Sequence, residues 1–171
     1  MRKVILYIAE SLDGFVATKD QGVAWLDKYN DPKINYGWDD FMKRIDTVVQ
    51  GNTTYQQFKP KYEDKASFVF TKHPEKYSEE DVVFTKESPD NFIKNLDENK
   101  HQNIWLVGGP TLLAEFLKHK LVDECIIFVM PIVLGEGIPL FQKLKTQPTM
   151  SLIDSKKYDN GVVELRYNVE K

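Results

Sequence analysis

The stretch that decides the fold is residues 103–118, NIWLVGGPTLLAEFLK. Asn103 to Val107 is apolar and rich in side chains that favour strands, which predicts a buried strand. Gly108-Gly109-Pro110 interrupts that pattern, and from Thr111 to His119 the apolar residues recur at helical spacing. The stretch is therefore a strand–turn–helix unit, from which α/β sheets are built.

The same alternation extends outward on both sides of this unit. In chain order, the pattern predicts a strand at 4–9, a helix at 38–45, a strand at 46–50, a helix at 53–58, strands at 67–71 and 82–85, a helix that begins at 88–90, and β-rich segments at 124–134, 149–157 and 162–169. Alternating strands and helices followed by a β-only tail predict an α/β fold with a mainly parallel sheet and an antiparallel edge. The absence of a linker predicts one domain over residues 1–171.

Composition excludes several classes of function. The 171 residues carry a net charge of −3, which argues against electrostatically driven binding to nucleic acid. No apolar run is long enough for a signal peptide or a membrane helix, and Cys125 is the one cysteine, so we expect a cytoplasmic protein without disulfides. Cys125 lies in an apolar run, which favours packing over nucleophilic chemistry. The three histidines, at 73, 101 and 119, lack zinc-site spacing, so no metal is expected.

Two junctions join the carboxyl end of a predicted strand to the start of a predicted helix. They are Gln50-Gly51-Asn52-Thr53-Thr54 and Val107-Gly108-Gly109-Pro110-Thr111. Helix starts offer free N–H groups to anions, and glycine allows a phosphate to approach the main chain. Because ligands bind at the carboxyl edge of open α/β sheets, the two junctions together could hold the phosphates of a dinucleotide. The alternative is that both are plain turns with helix caps.

Three further segments allow both a functional and a structural interpretation. Thr71-Lys72-His73 could bind the 2′-phosphate that distinguishes NADPH from NADH, or form a solvated loop. Asp13-Gly14 follows the first strand and is typical of a hairpin turn, although Asp13 could bind substrate or relay a proton. Asp39 and Asp40 suit the start of a helix, and either could donate a proton. The aromatic-bearing loop from 20 to 37 is either a substrate flap or an anchored surface loop.

Taken in order, these motifs resemble the dihydrofolate reductase superfamily. They are more similar to the RibD C-terminal domain, the reductase domain of the bifunctional riboflavin-synthesis deaminase/reductase, and to its small stand-alone relatives. The matching pieces are Ser11-Leu12-Asp13-Gly14, Gly51-Asn52-Thr53-Thr54-Tyr55, Val107-Gly108-Gly109-Pro110-Thr111-Leu112, the segment 131–141 and the stretch 158–167. They cover nearly the whole chain.

The resemblance implies a three-layer fold with about eight strands and NADPH across the carboxyl edge of the sheet. It implies that Asp13 lies beside the substrate, and it adds flanking residues for the nicotinamide. The cofactor residues so expected are Ala9, Val16, Ala17, Gly51, Asn52, Thr53, Thr54, Thr71, Lys72, His73, Val107, Gly108, Gly109, Pro110, Thr111 and Leu112. Homodimers are common in the family, and the apolar run 126–134 could form an interface or a core strand.

The function that the resemblance implies is an NADPH-dependent reductase that transfers a hydride to a small heterocycle. The expected type is a 5-amino-6-(5-phosphoribosylamino)uracil reductase. The alternatives are a dihydrofolate or dihydropteridine reductase and a non-catalytic NADP-binding module. The riboflavin-pathway enzymes carry a glutamate in the substrate pocket at the position of Val107, so the substrate is left open.

Overall fold

The computed structural model describes residues 2–142, 144 and 146–171. The strands are β1 (Lys3–Ser11), β2 (Phe15–Ala17), β3 (Thr47–Gly51), β4 (Ala66–Phe70), β5 (Val82–Thr85), β6 (Asn103–Gly108), β7 (Glu124–Met130), β8 (Ile138–Pro139), β9 (Met150–Lys157) and β10 (Val163–Val169). The α-helices are α1 (Trp38–Arg44), α2 (Asn52–Phe58), α3 (Pro89–Asn95) and α4 (Pro110–Lys118), and short 3-10 helices span Ala24–Tyr29 and Pro74–Lys76.

Eight strands form one sheet in the order β5-β4-β3-β6-β1-β7-β10-β9. Neighbours from β5 to β7 are parallel, whereas β10 pairs antiparallel with both β7 and β9. This arrangement confirms the predicted fold class. The sequence pattern does not predict β2 and β8, which form a separate two-stranded sheet, because strands of three and two residues are too short to show alternation.

The sheet is covered on both faces, which gives the fold its three layers. On one face, Leu6 of β1 packs with Phe92 of α3 and Phe116 of α4. On the other face, Ile5 of β1 packs with Phe41 of α1 in an aromatic cluster that also contains Trp105 and Phe128. Ile5 and Leu6 are both fully buried, which is why β1 reads as a continuous apolar run in the sequence.

The apolar run after residue 124 ends earlier as a strand than the sequence predicts. Strand β7 stops at Met130, because Pro131 has no N–H group to continue a ladder. Within the run, Ile126 is buried in the core, as the core-strand alternative requires. Cys125 is also buried, and burial raises the pKa of its thiol to about 12, so the thiol is unreactive at neutral pH.

Membrane-spanning helices and metal-binding clusters are both absent from the part of the chain that the structure describes. Across residues 2–142, 144 and 146–171, none of the helices combines the length and apolar character needed to span a bilayer. Within the same ranges, His, Cys, Asp and Glu do not gather in threes at any place suited to a metal ion.

Candidate active-site cleft

A large cleft lies along the carboxyl edge of the parallel strands. Its volume is about 1330 Å³, above the roughly 300–1,000 Å³ typical of a single-ligand pocket. Residues of β1 and residues at or just after the ends of β3, β4, β5 and β6 line it, together with parts of β2, β8 and the loop before α1. The cleft therefore has room for a dinucleotide and a second small molecule.

The two glycine junctions meet at the floor of this cleft. Strands β3 and β6 are parallel neighbours, and Gln50 lies opposite Gly108. A Cβ atom on Gly51 would lie 3.5 Å from the Gly109 nitrogen, and a Cβ atom on Gly109 would lie 3.4 Å from Thr54 Oγ1. Gly108, whose φ is +121°, takes a backbone conformation that favours glycine. The junctions thus form one continuous surface, in which the three glycines contribute main chain without a side chain.

With one exception, the residues that the sequence assigns to cofactor binding line this cleft. Gly108 is buried behind the floor. The others, all cleft-lining, are Ala9, Val16, Ala17, Gly51, Asn52, Thr53, Thr54, Thr71, Lys72, His73, Val107, Gly109, Pro110, Thr111 and Leu112. The structure brings them together, and their contact with a cofactor stays a prediction.

Two lysines stand at one end of the cleft, after neighbouring strands. Lys72 follows β4 and Lys86 follows β5, and both line the cleft. The Thr71 amide donates to the Thr85 carbonyl at 2.8 Å, which ties the two loops together. Lys86 was not predicted, although its position after the predicted strand 82–85 is the same signal that identified Lys72.

The opposite end of the cleft is apolar. Ile8, Val16, Val107 and Ile138 of β8 are among its lining residues. Val107, the position at which the sequence is expected to depart from the riboflavin-pathway reductases, lines the cleft. A flat, uncharged ring fits such walls better than an anionic group does.

The loop from 20 to 37 is both a wall of the cleft and an anchored surface segment. Val23 and Leu26 line the cleft, and the Gln21 carbonyl accepts a hydrogen bond from Gln57 Nε2 of α2 at 2.9 Å. Tyr29 is buried in the aromatic cluster. The two interpretations of this loop are therefore compatible.

Asp13 does not line the cleft. It follows β1 in a turn, but β2 pairs with β8 and not with β1, so the turn is not a hairpin. Its carboxylate accepts hydrogen bonds from the amides of Leu134 (3.1 Å) and Gly135 (2.7 Å). The carboxylate also accepts a bond from the Ser11 hydroxyl (2.6 Å), which is the main reason that the pKa of Asp13 is lowered. These contacts favour a structural role, and its predicted role in proton transfer stays untested.

Asp39 and Asp40 are exposed at the start of α1 and are not among the cleft-lining residues. Asp40 pairs with Lys43 at 3.1 Å, a contact within the same helix. Their positions agree with the ordinary preference for acids in the first turn of a helix. The structure does not bring either carboxylate to the cleft, and their predicted proton role rests on the sequence alone.

Gln50, just before Gly51, was not predicted as a functional residue. It is fully buried, and neither its amide oxygen nor its amide nitrogen has a hydrogen-bond partner among the described residues. The indole nitrogen of Trp25 is also buried and has no hydrogen-bond partner among the described residues. A buried amide without partners costs about 1–3 kcal/mol, and such groups call for an explanation. No sequence signal marks them, because the pattern of β3 requires only a buried side chain at position 50.

The fold is that of dihydrofolate reductase. Dihydrofolate reductase from Enterococcus faecalis, solved with NADP(H), superposes with a TM-score of 0.68 over 99% of this chain and 97% of its own, at 15% identity. A "putative riboflavin biosynthesis protein" from Shewanella sp. PV-4 superposes with a TM-score of 0.86 at 27% identity, over 99% of both chains.

The RibD C-terminal domain model matches residues 2–164, and the chain belongs to that family. Two Bacillus subtilis (strain 168) proteins are similar over nearly their full length. The uncharacterized protein YwjB is 40% identical over 97% of both chains. The uncharacterized protein YyaP is 31% identical over 98% of this chain and 95% of its own. Family membership and structural neighbours together support a reductase-type fold, as the resemblance in sequence implies.

The contacts of Asp13 predict how stability depends on pH. In Asp13→Asn, an NH₂ group replaces one carboxylate oxygen and opposes a backbone N–H donor, so we expect the melting temperature at pH 7 to fall by a few degrees. Because the pKa of Asp13 is lowered in the fold, its stabilisation is present above the ordinary value of 3.8 and is lost as the pH falls through the folded pKa. The difference between the two proteins should therefore shrink in acid.

Thermal melts from pH 7 down to pH 2.5 measure this difference. Asp39→Asn is the matched control, since Asp39 is also exposed and has no such bonds to its carboxylate. A melting temperature for Asp13→Asn equal to that of the wild type at pH 7 would contradict the structural role.

Proposed function

We propose that this chain is an NADPH-dependent reductase that transfers a hydride to a small heterocyclic substrate. The expected type is that of 5-amino-6-(5-phosphoribosylamino)uracil reductase, an activity named for a Thermotoga maritima protein that has the same fold, with a TM-score of 0.77. The observation that carries the proposal is the meeting of the Gly51 and Gly109 corners on the floor of one cleft. At that place two phosphates can approach the main chain at positions that carry no side chain.

The residues present fit such a cofactor along the whole cleft. Lys72 and Lys86 offer positive charge to a 2′-phosphate at one end. Ala9, Val16 and Ala17 offer the small apolar surface that a nicotinamide ring needs at the other end. When bound, NADPH supplies the hydride, and the protein supplies orientation and the exclusion of water. In this role the walls formed by Val107 and Ile138 keep water from the reacting ring.

A dihydropteridine reductase is the second candidate, because a dihydrofolate reductase shares the fold. A buried acid on the first helix would favour it, yet Asp39 and Asp40 are exposed and outside the cleft lining.

A non-catalytic NADP-binding module is the third candidate. Oxidation of NADPH, followed at 340 nm with pyrimidine and pteridine substrates, distinguishes the three. Oxidation with neither class, despite tight NADPH binding, would favour the module.

Lys72→Ala tests the choice of cofactor. NADPH carries the additional phosphate, so we expect the variant to bind NADPH about 10-fold more weakly and NADH unchanged, as for one lost charge-assisted contact. Isothermal titration with both dinucleotides measures this. Lys61→Ala, which removes an exposed lysine outside the cleft lining, is the control. If the variant loses affinity for NADPH and NADH equally, Lys72 does not bind the 2′-phosphate.

Gly109→Ala tests the floor of the cleft. The φ of Gly109 is −75°, so alanine fits the backbone and the fold should be retained. The added methyl group would project towards Thr54 and occupy the surface expected to receive phosphate. We expect at least a 10-fold loss of affinity for both NADPH and NADH with little change in melting temperature. Unchanged affinity for either dinucleotide would contradict the proposed cradle.

We also propose that two copies pair through the edge strand β9. Leu152 and Ile153 of this strand are 56% and 52% exposed, which is unusual for apolar residues on an open sheet edge. The run 126–134 is less suitable, because its β7 part is largely buried in the core. Light scattering should give a dimer for the wild type and for Val133→Glu, and a monomer for Leu152→Glu. If Val133→Glu is a monomer and Leu152→Glu is a dimer, the interface lies in the 126–134 run and not in β9.

A further inference from the structure

Phe58 is an exposed aromatic residue that lines the cleft. It is the last residue of α2, and 52% of its surface is exposed. It belongs to neither of the two core clusters found among the described residues, so packing of the core does not account for its ring. A single exposed apolar side chain is ordinary on an open surface, but in a cleft it is a surface that a ligand can cover.

The position of Phe58 on α2 places it one helical turn from the phosphate corner. After its first residue, the helix contributes one face to the cleft, formed by Thr53, Thr54, Gln57 and Phe58. Thr54 Oγ1 lies 3.4 Å from the place of a Cβ atom on Gly109, and four residues of helix rise about 6 Å. Three of the four side chains on this face are polar, as suits a wet surface, and Phe58 is the exception.

The loop before α1 contacts the same end of α2. Gln57 Nε2 donates to the Gln21 carbonyl at 2.9 Å, and in the segment that follows, Val23 and Leu26 are half-buried and line the cleft. This segment continues from β2, which supplies two of the residues proposed to flank the nicotinamide. Phe58, Val23 and Leu26, here called the apolar rim, are therefore connected to the part of the cleft in which a substrate has to meet that ring.

The charged side chains of the cleft come from other segments. Within the described lining, the charged and histidine residues follow β4 and β5 or belong to α4: Lys72, His73, Lys86, Glu87 and Glu115. The described lining residues between 8 and 26 and those of α2 are all uncharged. Lys59, the residue after Phe58, pairs with Glu79 at 3.6 Å and is outside the described lining. A phosphate at the apolar rim would lose water without gaining a cation.

We propose that the apolar rim determines substrate specificity by binding an uncharged, apolar substituent of the heterocycle, with the Phe58 ring stacked against it. Aromatic rings gain both from burial and from contact with another ring. The inference rests on the proposed reductase function: it keeps hydride transfer to a heterocycle and specifies the group that this heterocycle carries. A substrate with a phosphorylated sugar at this position is accordingly expected to bind poorly.

Three 6-aminouracil probes that differ only in the group on the exocyclic nitrogen test this specificity. The group is methyl in the first probe, benzyl in the second and 4-carboxybenzyl in the third, so the second adds an apolar ring and the third adds a negative charge to that ring. Titrations of the full-length protein at neutral pH, with and without NADPH, should give about 10-fold tighter binding of the benzyl probe than of the methyl probe. The carboxybenzyl probe should bind about 10-fold more weakly than the benzyl probe.

Phe58→Ala removes the ring, whereas Phe58→Tyr keeps it. We expect Phe58→Ala to bind the benzyl probe about 10-fold more weakly and the methyl probe as the wild type does, because only the benzyl ring reaches the apolar rim. Phe58→Tyr should keep the preference for the benzyl probe. Phe141→Ala is the matched control, since Phe141 is 39% exposed and outside the described cleft lining. All three variants should melt close to the wild type, because both rings are exposed.

Several outcomes would overturn the proposed specificity. They are equal binding of the methyl and benzyl probes, no binding of any probe, and equal losses of benzyl affinity in Phe58→Ala and Phe141→Ala. Tighter binding of the carboxybenzyl probe than of the benzyl probe also overturns it, because that result requires a cation beside the rim. So does a melting temperature of Phe58→Ala far below that of the wild type, which would make the ring structural. The reductase proposal survives these results if the wild type binds NADPH, and a wild type that does not bind NADPH overturns the reductase itself.

Discussion

The close approach of Gly51 and Gly109 is the constraint on which the arrangement of the cleft depends. Parallel pairing of β3 with β6 sets their distance, and the lack of side chains at both positions keeps the surface between them open. In the proposed function, this surface is where the phosphates of a dinucleotide would approach the peptide nitrogens that follow the two strands. The rest of the fold serves this geometry by burying both faces of the central strands, so that the corners are held rigidly.

The two ends of the cleft differ in polarity: one carries lysine side chains and the other is lined by apolar residues. One end, after β4 and β5, is lined by lysines and by loops tied together through their backbone. The other end is apolar and is closed by the loop before α1. The hydrogen bond from Gln57 to Gln21 joins that loop to α2, the helix that begins at the first glycine corner. This hydrogen bond therefore links the loop at the apolar end to the helix at the first glycine corner.

The sequence predicts the strands and the glycine corners because both follow from local chemistry. The apolar runs predict β1 and β6. The glycines after two of the predicted strands predict the corners at Gly51 and Gly109. The sequence does not predict the contacts of Asp13, because the amides of Leu134 and Gly135 are more than 120 residues away and no periodicity connects them. Nor does it distinguish Gln50 from an ordinary buried residue, since its position beside Val107 depends on a one-residue bulge between β3 and β6.

The aromatic cluster has a consequence for spectroscopy. All three tryptophans of the chain, Trp25, Trp38 and Trp105, lie on the same face of the sheet, and Trp38 and Trp105 are in edge-to-face contact with ring centres 5.1 Å apart. Ultraviolet emission of the protein therefore originates almost wholly from one layer. Quenching or a shift of that emission reports on the segment from 24 to 44 and its surroundings, and the lysine-lined end of the cleft is optically silent by comparison.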